Sequence, residues 1–151
     1  MLPVLSRPTS AVKTFGRNLF GTTEKTDGPI MVSPVTPEVY KRGDVTVIKF
    51  GQQFETLDEF TLDQIRDFVL EAAKNAIPPK VVIDLSYTKF FGSSFIEVLF
   101  RVWNRINGMK GKFALAGLTS YCREVLEVTH LDKLWPILPN EAEAVAVVAV
   151  D

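Results

Sequence analysis

The chain has 151 residues, 46% of them hydrophobic, and its 17 Lys and Arg are set against 18 Asp and Glu for a formal net charge of −1. That length suits one ordinary domain with some chain to spare, and the near-neutral balance lacks the basic excess that grips polyphosphate, which argues against nucleic acid as a partner. A lone cysteine, Cys122, and a lone histidine, His130, leave no internal disulfide and no Cys/His set for structural zinc.

The expectation is a protein of the reducing cytoplasm with no metal and no cofactor. No apolar run reaches the roughly 18 residues that a spanning helix needs, and the N-terminus lacks a secretory hydrophobic block. Residues 1–37 mix Pro, Thr, Ser and Gly without sustained periodicity and are expected to form a disordered basic leader. Arg7, Lys13 and Arg17 precede the first acidic residue, Glu24. Val12, Phe15, Leu19 and Phe20 would share one face of a short helix, so contact with a membrane is expected only indirectly, if this leader tethers the protein.

From Glu38 the pattern becomes that of a folded domain, expected over residues 38–148. Val39-Tyr40 and residues 45–50 flank Lys41-Arg42-Gly43-Asp44, which predicts a β-hairpin at the antiparallel edge of a sheet. Thr61-Leu62-Asp63-Gln64 has capping-box spacing, and Leu62, Ile65, Phe68, Val69 and Ala72 fall on one helical face. Pro78-Pro79 ends that helix. Val81-Val82-Ile83 with Leu85 is a nearly unbroken apolar run, the mark of a central strand in a parallel sheet.

A second helix is signalled by Ser94 three residues before Glu97, with Phe95, Val98, Leu99, Val102 and Ile106 as its inner stripe and Gly108 at its end. Glu97, Arg101 and Arg105 face water in this reading. Residues 112–116 predict another strand, 120–128 a third helix, 135–138 a short strand, and Asn140 with Glu143 the cap of a last helix to about Val148. Strands alternating with helices define an α/β layer structure.

Four segments in order carry a family resemblance: Val81-Val82-Ile83-Asp84-Leu85; Phe91-Gly92-Ser93-Ser94-Phe95; Gly111-Lys112-Phe113-Ala114-Leu115-Ala116-Gly117-Leu118; and Val125-Leu126-Glu127-Val128-Thr129-His130-Leu131-Asp132-Lys133-Leu134-Trp135. Together they resemble the STAS domain of the anti-sigma factor antagonists. The resemblance implies a small mixed sheet of four or five strands with helices mainly on one face, and no enzyme active site. It implies an anti-sigma factor or related serine kinase as partner, in a partner-switching pathway where a serine ahead of the second helix is phosphorylated. The matching residues are Gly92, Ser93, Ser94 and Phe95. Gly92 stands where the family usually has Asp, Phe95 where it has Gly, and His130 where many members have Gly.

On this reading Ser93 is the phosphorylation site, and Ser94 is a helix cap or secondary phosphosite. Gly92, Phe95, Glu97 and Arg101 are expected to bind the partner. A phosphate on Ser93 would face the positive end of a helix dipole, and its added charge would disfavour an acidic partner surface. The alternative is a scaffold subunit of a transporter or a stressosome-like assembly, with both serines structural.

Other candidate chemistry is weaker. Asp84 resembles the phosphoacceptor of a receiver domain, but Gly51-Gln52-Gln53 supplies no acidic pair for Mg²⁺. A structural Asp84 that accepts hydrogen bonds from loop backbone is expected instead. Cys122 and His130 are separated by a helix and the loop after it, and a buried structural cysteine is the expectation rather than a nucleophile. Trp103 and Trp135 divide between core and interface.

Overall fold

Gly43 closes the first hairpin with a positive φ of 65°, a conformation that costs a residue without Cβ little. The computed structural model describes residues 35–150, so the expected leader lies, up to residue 34, outside the described residues. Strands β1 (Glu38–Arg42) and β2 (Val45–Lys49) pair antiparallel with Arg42 opposite Val45. The turn is therefore Gly43-Asp44 alone, and Lys41 and Arg42, expected within it, belong to β1.

After a 3₁₀ turn and the two-residue strand β3 (Thr56–Leu57), helix α1 spans Glu59–Lys74. Its cap is Asp58, whose carboxylate accepts the Thr61 N–H at 2.9 Å. The capping box read at Thr61 is thus corrected: the helix starts two residues before Thr61, and the side chain that ends its row of free N–H groups is an Asp. Leu62, Ile65, Val69 and Ala73 are buried, while Phe68, placed in the predicted stripe, is more than a third exposed and Ala72 is half-buried.

Strand β4 (Lys80–Asp84) is buried along its whole length between β2 and β6 (Lys112–Ala116), parallel to both. It is the central strand that its apolar run predicts. Strand β5 (Phe90–Phe91) pairs parallel with β3 in a small separate ladder that no pattern in the sequence announces. Helix α3 (Ser120–Val128) has the expected bounds, and α2 (Ser93–Gly108) ends at Gly108 as expected but begins before the expected cap. Strand β7 is shorter than predicted, Ile137–Leu138, because Trp135 leaves the ladder and is fully buried against Phe113 and Phe100. Helix α4 (Glu141–Ala149) is capped by Asn140, which accepts the Glu143 N–H at 2.9 Å.

The five-stranded sheet has the order β1-β2-β4-β6-β7, with β1 the antiparallel edge. Ile48, Val81, Ile83, Phe113 and Leu115 pack on one side against α1, α2 and α3 in the main core. Val45, Val47, Val82, Ala114 and Ala116 face the other side, covered by Ala144 and Val148 of α4. Three helices on one face and one on the other give the mixed α/β architecture expected. Full burial of a Leu or Val in the main core stabilises the fold by about 1.5–3 kcal/mol.

Candidate functional site

Lys49, Asp84 and Ala116 stand in register across β2, β4 and β6 and mark the carboxyl end of the parallel strands. Three connections leave from this end, and the one after β4 leads to Ser93. Its first residues are held by Asp84, whose Oδ1 accepts both the backbone N–H of Ser86 at 2.9 Å and the Ser86 hydroxyl at 2.6 Å. Asp84 is therefore the structural carboxylate expected. Gly117, after β6, approaches the same serine with φ 74°; a Cβ there would lie 2.3 Å from Ser86 Oγ.

The next residues are pinned from the other side. The buried Thr88 donates its hydroxyl to the Phe54 carbonyl at 2.9 Å, and the Lys89 and Phe90 N–H groups both donate to Glu55 O at 2.8 and 3.2 Å. Cys122 Sγ donates to the Thr88 carbonyl at 3.7 Å. Burial pushes that thiol's pKa up, opposed by its hydrogen bond with Thr119. Cys122 is fully buried in the main core, the packed side chain expected. Backbone groups held on three sides leave little freedom where β5 hands over to α2.

Phe91 points inward and Phe90 outward, as strand alternation requires. Gly92 then takes the cap position of α2 in an extended conformation, with no side-chain cap hydrogen bond. The Phe95 and Ile96 N–H groups turn back to the Gly92 carbonyl at 3.1 and 3.3 Å. The expectation that Ser94 caps this helix is corrected: Ser94 is the second helical residue, inside the position where a side chain accepts the first N–H groups. Ser93 is the first helical residue and is exposed.

The residues named as partner-binding separate in the structure. Gly92 and Glu97 lie within the first turns beside Ser93, and Glu97 is exposed. Phe95 is fully buried, with its ring 5.5 Å from that of Phe50 and 5.3 Å from that of Phe91. Phe95 thus fills the core as the inner stripe predicts, and its expected role as a partner contact is corrected, since a fully buried ring offers no surface to a partner. Arg101 is exposed two turns farther along α2, in a groove of about 880 Å³ between α1 and α2 that also takes in Asp67, Lys74 and Arg105.

Other surface groups stand at this end without a motif in the sequence to mark them. Phe90 and Tyr121 stack with ring centroids 5.7 Å apart and are 41% and 49% exposed. Lys49 Nζ sits 5.7 Å from the centre of the Tyr87 ring, within cation–π range. A hollow of about 380 Å³ is bounded by Gln52, Glu55, Ser86, Tyr87, Lys89 and Thr119. The readable signal was the doublet Phe90-Phe91, in which only one ring can face the core. Trp103 is half-buried and packs edge-to-face on Phe100, whereas Trp135 belongs to the core. His130 takes the left-handed conformation, φ 63°, at the position where the resemblance places glycine.

Among the described residues, no group of three or more His, Cys, Asp or Glu is arranged to hold a metal ion, and no helix is long and apolar enough to cross a membrane. The model of the STAS domain matches residues 36–144. Among solved structures, the chain is similar to an anti-sigma-factor antagonist (STAS) domain protein from Planctomyces limnophilus, at 44% identity over 77% of this chain and 100% of that one, with a TM-score of 0.74. An anti-sigma factor antagonist from Mycobacterium paratuberculosis matches at 25% identity over 76% and 94% of the two chains, with a TM-score of 0.66. The Bacillus cell fate determinant SpoIIAA, solved in its phosphorylated form, shares the fold at 20% identity over 75% and 99%, with a TM-score of 0.56.

The chain belongs to the STAS domain family. It is a protein–protein interaction module of a family whose domains are non-catalytic and serve as scaffolds or regulators.

Proposed function

We propose that this protein is an anti-sigma factor antagonist that binds an anti-sigma factor or related switch kinase in the cytoplasm and is released by phosphorylation of Ser93. The observation that carries the proposal is the presentation of Ser93: an exposed hydroxyl on the first residue of α2, next to a connection pinned by Asp84, Thr88 and Glu55. A kinase can reach such a hydroxyl, and the free N–H groups at the helix start favour the phosphate that results. Adding about −1.5 to −2 charges there would weaken docking of an acidic partner surface. SpoIIAA of Bacillus, which has the same fold, exists in a phosphorylated form, a precedent that supports carrying the chemistry to this chain.

A second reading, a scaffold subunit of a transporter or stressosome-like assembly, draws on Gly92, which brings no carboxylate to the loop where the family usually has one. Affinity capture from the source cells, with wild type and Ser93→Asp compared, separates the two. An ATP-binding kinase lost on Ser93→Asp supports the switch. A membrane complex retained by both forms supports the scaffold.

A further inference from the structure

Strand β1 has β2 on one side and, among the described residues, no strand on the other. The two-residue turn and the Arg42–Val45 pairing direct the backbone groups of Arg42, Tyr40 and Glu38 toward β2, so those of Val39 and Lys41 point away from the sheet. An open edge of this kind is a template for another strand unless something blunts it.

The sequence of β1, Glu38-Val39-Tyr40-Lys41-Arg42, is complementary to itself when reversed. Centred on Tyr40, an antiparallel copy sets Glu38 opposite Arg42 at both ends and Val39 opposite Lys41. In that register the outward-facing residues, Val39 and Lys41, meet as hydrogen-bonded pairs. Glu38 and Arg42 meet as non-hydrogen-bonded pairs, in which side chains are closest. Sliding by two residues in one direction sets Lys41 against Lys41, which like-charge repulsion disfavours. Sliding by two the other way sets Val39 against Val39 and Glu38 against Tyr40 and forfeits both Glu38–Arg42 pairs, so the alignment centred on Tyr40 is the one that gains both charge pairs.

Side chains beside this edge are fitted to the same contact. Val39 is 42% exposed and Phe68 of α1 is 37% exposed, and both line a groove of about 410 Å³ between β1 and α1. The Lys41 ammonium donates to the Ile77 carbonyl at 2.7 Å within the same chain, so it is held away from the edge. Arg42 binds Glu141 yet keeps a half-exposed guanidinium, which has donors for a second carboxylate.

We propose that β1 pairs antiparallel with β1 of a second copy of this chain, centred on Tyr40, to form a two-fold dimer with one continuous sheet. Val39 and Phe68 of the two copies flank the seam on the α1 side. A five-residue seam falls at the small end of stable interfaces, so association is expected at protein concentrations on the order of 0.1 mM.

Sedimentation velocity and light scattering on the full chain test this. Wild type is expected to show a concentration-dependent dimer mass. Glu38→Arg alone and Arg42→Glu alone each turn two attractive cross-strand pairs into repulsive ones and are expected to weaken association about tenfold or more. The decisive sample is an equimolar mixture of the two variants: one chain then offers Arg at both positions and the other Glu at both, so a heterodimer is expected to form. That recovery also shows that both variants are folded. A wild type that stays monomeric, single variants that associate as wild type does, or a mixture that does not recover association overturns the proposal.

Discussion

The Ser86 hydroxyl and the Ser86 backbone N–H converge on one oxygen of Asp84, at 2.6 and 2.9 Å, and Gly117 leaves no room on the far side of the serine for a Cβ. This clasp fixes the exit of the central strand and so the path of the chain toward Ser93. Asp84→Ala would remove the charged acceptor of both hydrogen bonds from the exposed Ser86 and is expected to cost about 1.5–3 kcal/mol. Gly117→Ala is expected to cost a similar amount, about 1–3 kcal/mol, since it combines a left-handed backbone with a steric conflict. Chemical denaturation of both variants checks this, and wild-type midpoints would show the clasp to be dispensable.

Helix α2 divides sharply between core and surface. Leu99 is fully buried, and Leu99→Ala is expected to cost about 2–5 kcal/mol. Arg101 is exposed on the same helix, and Arg101→Ala is expected to stay within about 0.5 kcal/mol. Urea unfolding of the two variants reports both values.

The two long helices are started by different means. Asp58 accepts the Thr61 N–H, and this bond holds its carboxyl below the usual carboxylate range. Asp58→Ala is expected to lower stability through the loss of a cap. A carboxyl depressed in the folded state gives stability that is present above its unfolded value near pH 3.9 and fades as pH falls through the lower folded value. Ser94→Ala, by contrast, removes no cap and is expected to change stability by less than about 0.5 kcal/mol. Thermal melts at neutral and acid pH distinguish the two.

How far the sequence revealed the fold follows from these helices. The apolar runs and helical stripes located β4, α2, β6 and α3, because burial on a strand or helix imposes a period that is visible in one chain. The capping pattern misleads at Thr61 and Ser94 for a common reason. Both have the right spacing to a downstream acid or amide, but the chain enters the helix two or more residues earlier, from Asp58 and Gly92. Spacing alone does not say where helical dihedrals begin. The inner stripe marks Phe95 as core beside Val98, Leu99, Val102 and Ile106, and only its place in the motif suggested a partner contact; its ring packs on Phe50, 45 positions upstream. The short β3–β5 ladder left no periodic signal at all.

Helix α4 is tied to the first hairpin by Glu141, which accepts the Tyr40 hydroxyl at 2.6 Å and binds Arg42. Burial, with the hydrogen bond to Glu141 next, raises the Tyr40 pKa well above its ordinary value near 10. A phenol whose folded pKa is raised contributes stability that is complete below about pH 10 and is lost as pH climbs toward the folded value. Wild type is therefore expected to lose stability above about pH 10, and Tyr40→Phe to lose part of that alkaline sensitivity. At neutral pH, Tyr40→Phe is expected to cost about 1.5–3 kcal/mol, as befits a hydrogen bond to a charged group. Denaturation midpoints collected from pH 7 to about pH 11 test the sign.

The central claim is that the Ser93 hydroxyl is the switch. Its most direct test is to incubate the purified protein with the kinase captured from its source cells and ATP, then map phosphate by mass spectrometry in wild type, Ser93→Ala and Ser94→Ala. One phosphate on Ser93 is expected in wild type and in Ser94→Ala, none in Ser93→Ala, and the phosphorylated protein should no longer hold the kinase. Labelling confined to Ser94, or a kinase that binds the protein but leaves Ser93 unmodified and is indifferent to Ser93→Asp, would contradict it.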